Sequence, residues 1–222
     1  GRAPAFATGL KLARPNLNVL VVMGDGDSMS IGGNHLVHAM RRNIGLTAIV
    51  VNNAVYGLTG GQASPTTPVG GRTTTSRPGS FERPMNLEAL ARASGASFFA
   101  RATVNHTAAL VKLIERALAV PGFSMVEIVS NCHVLYGRMN DLGDAAQMMQ
   151  GMEPTTRRVN PVLLRRAAMP MRLGLPEAPV DGATSPFIDD PRIQRGVIFE
   201  RPLRDDYARR YHAMVAAHQA TP

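Results

Sequence analysis

Several common classes of protein are excluded by what this sequence lacks. One cysteine, Cys132, in 222 residues rules out an internal disulfide framework. Tryptophan is absent and aromatic residues make up only 5% of the chain. No apolar run approaches the roughly 20 residues of a membrane span. No charged-then-apolar leader precedes a cleavage site, so no membrane association and a cytoplasmic address are expected. There is no internal repeat. Negative charge is the minority sign: 16 Asp and Glu face 24 Lys and Arg, for a formal charge of +8. Most of the excess is arginine, dispersed in pairs such as Arg41-Arg42, Arg157-Arg158, Arg165-Arg166 and Arg209-Arg210. Such pairs are usually solvated surface or salt-bridge partners. With few aromatics and no DNA- or RNA-binding motif beside them, no nucleic-acid partner is expected. A basic face also suits docking of an acidic redox partner, because long-range fields speed such encounters.

What is present is organised around residues 18–61, NVLVVMGDGDSMSIGGNHLVHAMRRNIGLTAIVVNNAVYGLTGG. Two β-branched apolar runs, Val19 to Met23 and Leu46 to Val51, have the pattern of buried parallel strands. If they lie side by side, Asp25 and Asn53 each sit just past the carboxyl end of a strand, the edge where open α/β sheets bind ligands. A carboxylate (Asp25), an amide carbonyl (Asn53) and backbone oxygens near Val55 are hard donors. They suit Mg²⁺, which leaves coordination sites for phosphate oxygens. Gly24 and Gly26 let backbone approach a phosphate, and a helix starting near Gly32 offers its N-terminal dipole. A Gly-Asp-Gly turn is also a common plain strand exit, so residue types alone leave both readings open.

The spacing adds to this. Gly24-Asp25-Gly26, then 25 residues, then Asn52-Asn53 resembles the thiamine diphosphate signature. The stretches GDGDSMSIGGNHLVHAMRRN, NNAVYGLTGGQASPT and GRAPAFATGLKLARP resemble, more specifically, the β subunit of 2-oxoacid:ferredoxin oxidoreductases. The resemblance covers about residues 1–140 and is carried by long motifs. It implies that Asp25, Asn53 and the Val55 carbonyl hold Mg²⁺ against the cofactor's diphosphate. Gly24, Gly26, Asp27, Tyr56, Gly57, Leu58 and Thr59 would line the cofactor, with Leu58 facing the substrate side chain. Gln62, Ser64 and Thr66 would be polar contacts further out.

Cys132 follows a Glu-Ile strand end, where the family has the fourth ligand of a [4Fe–4S] cluster. The other three cysteines would lie upstream of residue 1, in an N-terminal portion that the resemblance implies precedes this sequence. On residue type alone, a lone cysteine is more often inert and buried. The implied activity is CoA-dependent oxidative decarboxylation of a 2-oxoacid, 2-oxoglutarate by the look of residues 56–62, with electrons passed to ferredoxin. The implied partner is an α subunit, without which this chain is inactive. The Gly-Asp-Gly and Asn-Asn signature alone would also permit a non-oxidative thiamine diphosphate decarboxylase or synthase, or a non-catalytic assembly module of the same fold.

The remaining pattern alternates. Helices are expected over Phe6 to Leu12, Asn34 to Asn43, Asn86 to Ser94 and His106 to Val120, with strands over Ser97 to Ala102 and Met125 to Val129. The alternation predicts an α/β fold with a doubly wound, mostly parallel sheet, here of the thiamine diphosphate-binding kind. His35 and His38 are read as packing or surface residues. Residues 54–80 form a long Gly/Ser/Thr/Pro loop, functional over 54–66 and a flexible surface loop over 67–80. Residues 1–140 make the cofactor-binding domain. Residues 141–222, with a helix around Met148, Met149 and Met152, prolines from Pro154 to Pro191 and a last helix over Tyr207 to His218, form an extended C-terminal arm packing on the domain or on a partner subunit.

Overall fold

The computed structural model describes residues 1–152, 156–158, 193–201 and 206–219. Its frame is a six-stranded sheet in the order β1-β2-β6-β5-β8-β7. Strands β1 (Val19–Gly24), β2 (Leu46–Asn52), β5 (Phe98–Thr103) and β6 (Ser124–Val129) are mutually parallel; β8 (Ile193–Glu200) joins β5 antiparallel, and β7 (Thr156–Arg158) lies parallel to β8. Five of the seven residues of β2 are buried, as expected for an internal parallel strand covered on both faces. The chain leaves β2, passes β6 to form β5, and returns to β6 between them. Parallel pairing puts the carboxyl ends of β1, β2 and β6 on one edge of the sheet. Residue 25, residue 53 and residues 130–132 therefore leave the sheet on the same side.

Helices cover both faces. One core joins α1 (Ala3–Ala13), α3 (Gly33–Arg42) and α4 (Leu87–Ser94) to the sheet through Val21, Leu36, Met40, Leu46, Val50 and Met125. The other sets α5 (Thr107–Ala119) against Ile49, Phe98, Ala100 and Val126. The doubly wound, mostly parallel sheet predicted from the sequence is the sheet observed. The helix and strand positions expected for residues 1–129 match it to within a few residues.

Element ends follow local chemistry. The α3 helix stops at Asn43, which takes the left-handed conformation (φ 51°). There its Oδ1 accepts from Ser97 Oγ at 2.7 Å and Phe123 N at 2.9 Å, tying the helix to the starts of β5 and β6. Asn86 caps α4 by accepting from Ala89 N at 3.0 Å, and Gly95 ends it at φ 92°.

Three expectations are modified. The first apolar run is an edge strand, buried on one face only: Leu20 and Val22 are exposed, because α5 reaches β2 but not β1. The Gly-Asp-Gly-Asp stretch is not a simple turn, for Asp25–Met29 forms a one-turn helix, α2, straight off β1. Residues 54–80 are not structureless. Val55–Tyr56 (β3) and Gln62–Ala63 (β4) pair as a hairpin. Beyond it, Gly70 N donates to Ser80 O, Ser80 N to Gly71 O and Thr74 N to Gly61 O, with Thr67 and Thr73 buried. Threonine hydroxyls and turn bonds satisfy the backbone there without regular structure, a pattern invisible to hydrophobic periodicity.

Of the C-terminal segment, α6 (Ala145–Gly151) contains Met148 and Met149, with Met152 at its C-cap. The helix α7 (Tyr207–Gln219) lies against α1, where His212 Nε2 is 2.7 Å from Leu12 O. Pro154, Pro161, Pro170, Pro176, Pro179, Pro186, Pro191 and Arg165-Arg166 lie outside the described residues.

Candidate functional site

Asp25 opens α2 at the carboxyl end of β1 and is 2% exposed. Its Oδ2 accepts from Ser64 Oγ and from Thr66 Oγ1, each at 2.5 Å. Among the described residues, no Lys, Arg or His pairs with it. Burying an ionised carboxylate is costly unless it is hydrogen-bonded and its charge is met. Here the hydrogen bonds come from neutral hydroxyls and no protein cation meets the charge, which is the donor chemistry of a divalent-cation ligand.

The second loop meets the first closely. A Cβ built on Gly26 would lie 2.2 Å from the ring of Tyr56, and Tyr56 Oη donates to Gly26 O at 3.3 Å. Glycine is needed at position 26 for this approach. Thr66 Oγ1 also lies 3.0 Å from Asn52 Oδ1, so one hydroxyl touches the loops of both strands.

Asn52 is oriented from behind. Its Nδ2 donates to Glu127 Oε1 at 2.8 Å, and Glu127 Oε2 accepts from Arg101 Nε at 2.6 Å. Arg101 and Glu127 are register partners across β5 and β6, and Arg101 lies over the Phe99 ring at 5.4 Å. Asn52 Oδ1 accepts from Ala54 N at 3.2 Å, and Ala54 adopts φ 63°, an unfavourable conformation for a residue with a Cβ. The next residue, Asn53, uses Oδ1 to accept from Val55 N at 3.2 Å. An amide oxygen has two lone pairs, so this turn leaves one for a ligand. Val55 is buried in β3.

The residues expected to line a cofactor are distributed unequally. Gly24 ends β1, where its N–H lies 3.5 Å from Oδ2 of the exposed Asp27. Gly57 is close to two other candidates: a Cβ there would stand 3.5 Å from Asn53 Nδ2 and 3.6 Å from Cys132 Sγ. Leu58 stands at the hairpin tip, fully exposed at 102%, and Thr59 beside it bonds Gln62 Oε1 at 2.8 Å. Cys132 immediately precedes a π-helical turn, His133–Gly137, whose Leu135 packs on Gly61 and whose Tyr136 packs on Gly71. Burial raises the Tyr136 phenol above its ordinary 10.0. A cleft of about 210 Å³ lined by Lys11, Asn18, Thr47, Gly122 and Asp206 lies at the amino ends of β1 and β2, the opposite edge of the sheet.

The donor set fits one implied group and not the other. A buried carboxylate, an amide oxygen and a glycine-lined backbone approach fit a Mg²⁺-bound diphosphate. A [4Fe–4S] cluster needs four thiolates. This sequence supplies one, and the described residues contain no group of three His, Cys, Asp or Glu placed to hold a metal. Sequence reasoning missed Glu127 and Arg101 as the support of Asn52. They occupy strand positions whose pairing depends on register, and their only signal was a charged residue inside an apolar strand.

Residues 1–128 match the family model of the thiamine pyrophosphate enzymes, C-terminal TPP binding domain. The chain is 51% identical over 153 residues to 2-oxoglutarate synthase subunit KorB of Methanothermobacter marburgensis, covering 69% of this chain and 54% of that protein. It is 57% identical over 132 residues to the KorB subunit of Archaeoglobus fulgidus, covering 60% and 49%. A 2-oxoacid:ferredoxin oxidoreductase subunit beta from Saccharolobus solfataricus is 45% identical over 132 residues, covering 60% and 43%. Among solved structures, the 2-oxoglutarate:ferredoxin oxidoreductase from Magnetococcus marinus with 2-oxoglutarate, coenzyme A and succinyl-CoA bound matches with a TM-score of 0.75 at 26% identity. That match covers 98% of this chain and 68% of the other. The chain spans about half the length of the first two curated relatives.

Proposed function

The chain belongs to the thiamine pyrophosphate enzyme family, and from that premise we propose that it is the cofactor-binding part of the β subunit of a 2-oxoacid:ferredoxin oxidoreductase. The substrate is 2-oxoglutarate, and a partner α subunit completes the enzyme. One observation carries the reading: a buried carboxylate at the end of β1 that pairs with no cation among the described residues, joined through Thr66 to the Asn52-Asn53 loop at the end of β2. The similarity to KorB subunits and to a structure with 2-oxoglutarate and coenzyme A bound supports the choice of substrate and acyl acceptor.

In this reading, Asp25 and Asn53 supply side-chain oxygens to Mg²⁺, and Val55 supplies its carbonyl. Gly24 and Gly57 leave room for phosphate oxygens near backbone N–H groups, and Gly26 lets Tyr56 close the space between the two loops. Asp27 and Thr59 are polar contacts at the rim. When bound, thiamine diphosphate supplies the chemistry that breaks the bond to the 2-oxoacid carboxylate, and the protein binds and orients it. Leu58, exposed at the hairpin tip, contacts the substrate side chain in a pocket completed by the α subunit. Cys132 contributes at most one ligand to an iron–sulfur cluster, and ferredoxin receives the electrons. Of the C-terminal segment, the described elements β8 and α7 pack on the cofactor-binding domain itself, through β5 and α1. The site of action is the cytoplasm; no described helix is long and apolar enough to cross a membrane.

The test is an assay of the full-length subunit assembled with its α subunit, measuring CoA-dependent reduction of a one-electron dye with a panel of 2-oxoacids. The expected result is turnover that requires CoA and is highest with 2-oxoglutarate. CO₂ release without dye reduction would instead indicate a non-oxidative thiamine enzyme, and no turnover with any 2-oxoacid a non-catalytic module.

A further inference from the structure

The turn at residues 64–67 is bound to itself and to both site loops. Ser64 N donates to Thr67 Oγ1 at 2.9 Å, Thr67 N to Ser64 O at 3.1 Å and Thr66 N to Ser64 Oγ at 3.3 Å. Thr67 Oγ1 donates to Ala54 O at 2.6 Å, anchoring the turn on the residue that adopts positive φ. Pro65 stiffens the link between the two residues that face Asp25, and Ser64, Thr66 and Thr67 are all buried.

Both hydroxyls converge on the same carboxylate oxygen. Ser64 Oγ and Thr66 Oγ1 lie 2.5 Å from Asp25 Oδ2 and 3.1 Å from each other. Among the described residues, no hydrogen bond reaches Asp25 Oδ1. A carboxylate with one oxygen held by two donors has its plane and rotamer fixed, with the other oxygen free to bind. Thr66 also stands between the two loops: its hydroxyl, whose single proton goes to Asp25 Oδ2, lies 3.0 Å from Asn52 Oδ1. Asn52 is oriented through Glu127 and Arg101, so the position of Thr66 is referred to the central strands rather than to a loop alone.

We infer that Ser64 and Thr66 are positioning residues of the cation site. They pin Asp25 Oδ2 so that Oδ1 is presented to the metal, and Thr66 sets the spacing between the Asp25 and Asn52-Asn53 loops. The inference rests on the reading of Asp25 as a Mg²⁺ ligand. It differs from a role for these residues as direct cofactor contacts, because each acts through Asp25. Partners that orient metal-ligating groups typically change metal affinity by roughly 10- to 100-fold when removed.

The test uses the full-length subunit paired with its α subunit, with thiamine diphosphate present and Mn²⁺ as the probe, free Mn²⁺ being read by electron paramagnetic resonance. Thr66→Val, which keeps the shape and removes the hydroxyl, is expected to weaken Mn²⁺ binding by roughly 10- to 100-fold. Thr66→Ser, which keeps the hydroxyl, is expected to restore wild-type affinity, and Ser64→Ala to weaken it in the same direction. Asp25→Ala is expected to abolish binding at the site. Wild-type affinity in Thr66→Val beside lost binding in Asp25→Ala would overturn this inference and leave the metal site standing. Failure of Thr66→Ser to restore affinity would overturn it as well, since packing rather than the hydroxyl would then be responsible. Wild-type affinity in Asp25→Ala would overturn the metal-site reading and this inference with it. Should Thr66→Val not fold, Ser64→Ala decides, and unchanged affinity there counts against the inference.

Discussion

Gly26 and Gly57 illustrate how the same residue type serves two purposes at one site. At Gly26 a methyl group would stand 2.2 Å from the Tyr56 ring, a contact that the packed loops cannot absorb without moving that ring. Gly26→Ala should therefore destabilise the protein by about 1–3 kcal/mol, the usual range for overpacking, as measured by urea unfolding. At Gly57 the same methyl group would meet Asn53 Nδ2 and Cys132 Sγ at 3.5 and 3.6 Å, ordinary contact distances. Gly57→Ala should be neutral or mildly stabilising by the same measurement, and any loss of cofactor binding it causes would reflect lost space for the ligand rather than disturbed folding.

Elements then decide which polar groups carry weight. Arg101 and Glu127 face each other across β5 and β6, with side chains 12% and 5% exposed, and together they orient Asn52. Arg101→Met would leave the Glu127 carboxylate buried with its main cationic partner gone, a loss that typically costs about 3–5 kcal/mol. The surface pair of Arg72 and Asp141, 46% and 82% exposed, is the control; Asp141→Asn should cost less than about 1 kcal/mol. The strands themselves were legible in the sequence, because apolar β-branched runs bounded by Gly, Asp and Asn leave few alternatives. That β1 lies at an edge was not, since exposure of Leu20 and Val22 depends on where α5 ends. The hairpin β3–β4 was hidden for a different reason. Its strands are two residues each, and the segment around it is held by threonine and serine hydroxyls bonding backbone, which has no period.

For the molecule as a whole, the central fact is that three parallel strands deliver their carboxyl ends to one edge. Asp25, the Asn52-Asn53 pair and Cys132 could be picked out from the sequence as strand-end residues. The connections among them could not, because Ser64, Thr66, Glu127 and Arg101 meet only once the sheet order β1-β2-β6-β5 is set. The formal charge is +8, and arginines such as Arg41, Arg209 and Arg210 stand exposed on the surface. The central proposal is a cation held by Asp25 and Asn53 as the anchor of a diphosphate. The direct test is a calorimetric titration of thiamine diphosphate with Mg²⁺ into the full complex of β and α subunits, comparing the natural protein with Asp25→Ala. The account predicts saturable, Mg²⁺-dependent binding that is lost in the variant; equal binding by the two proteins would contradict it.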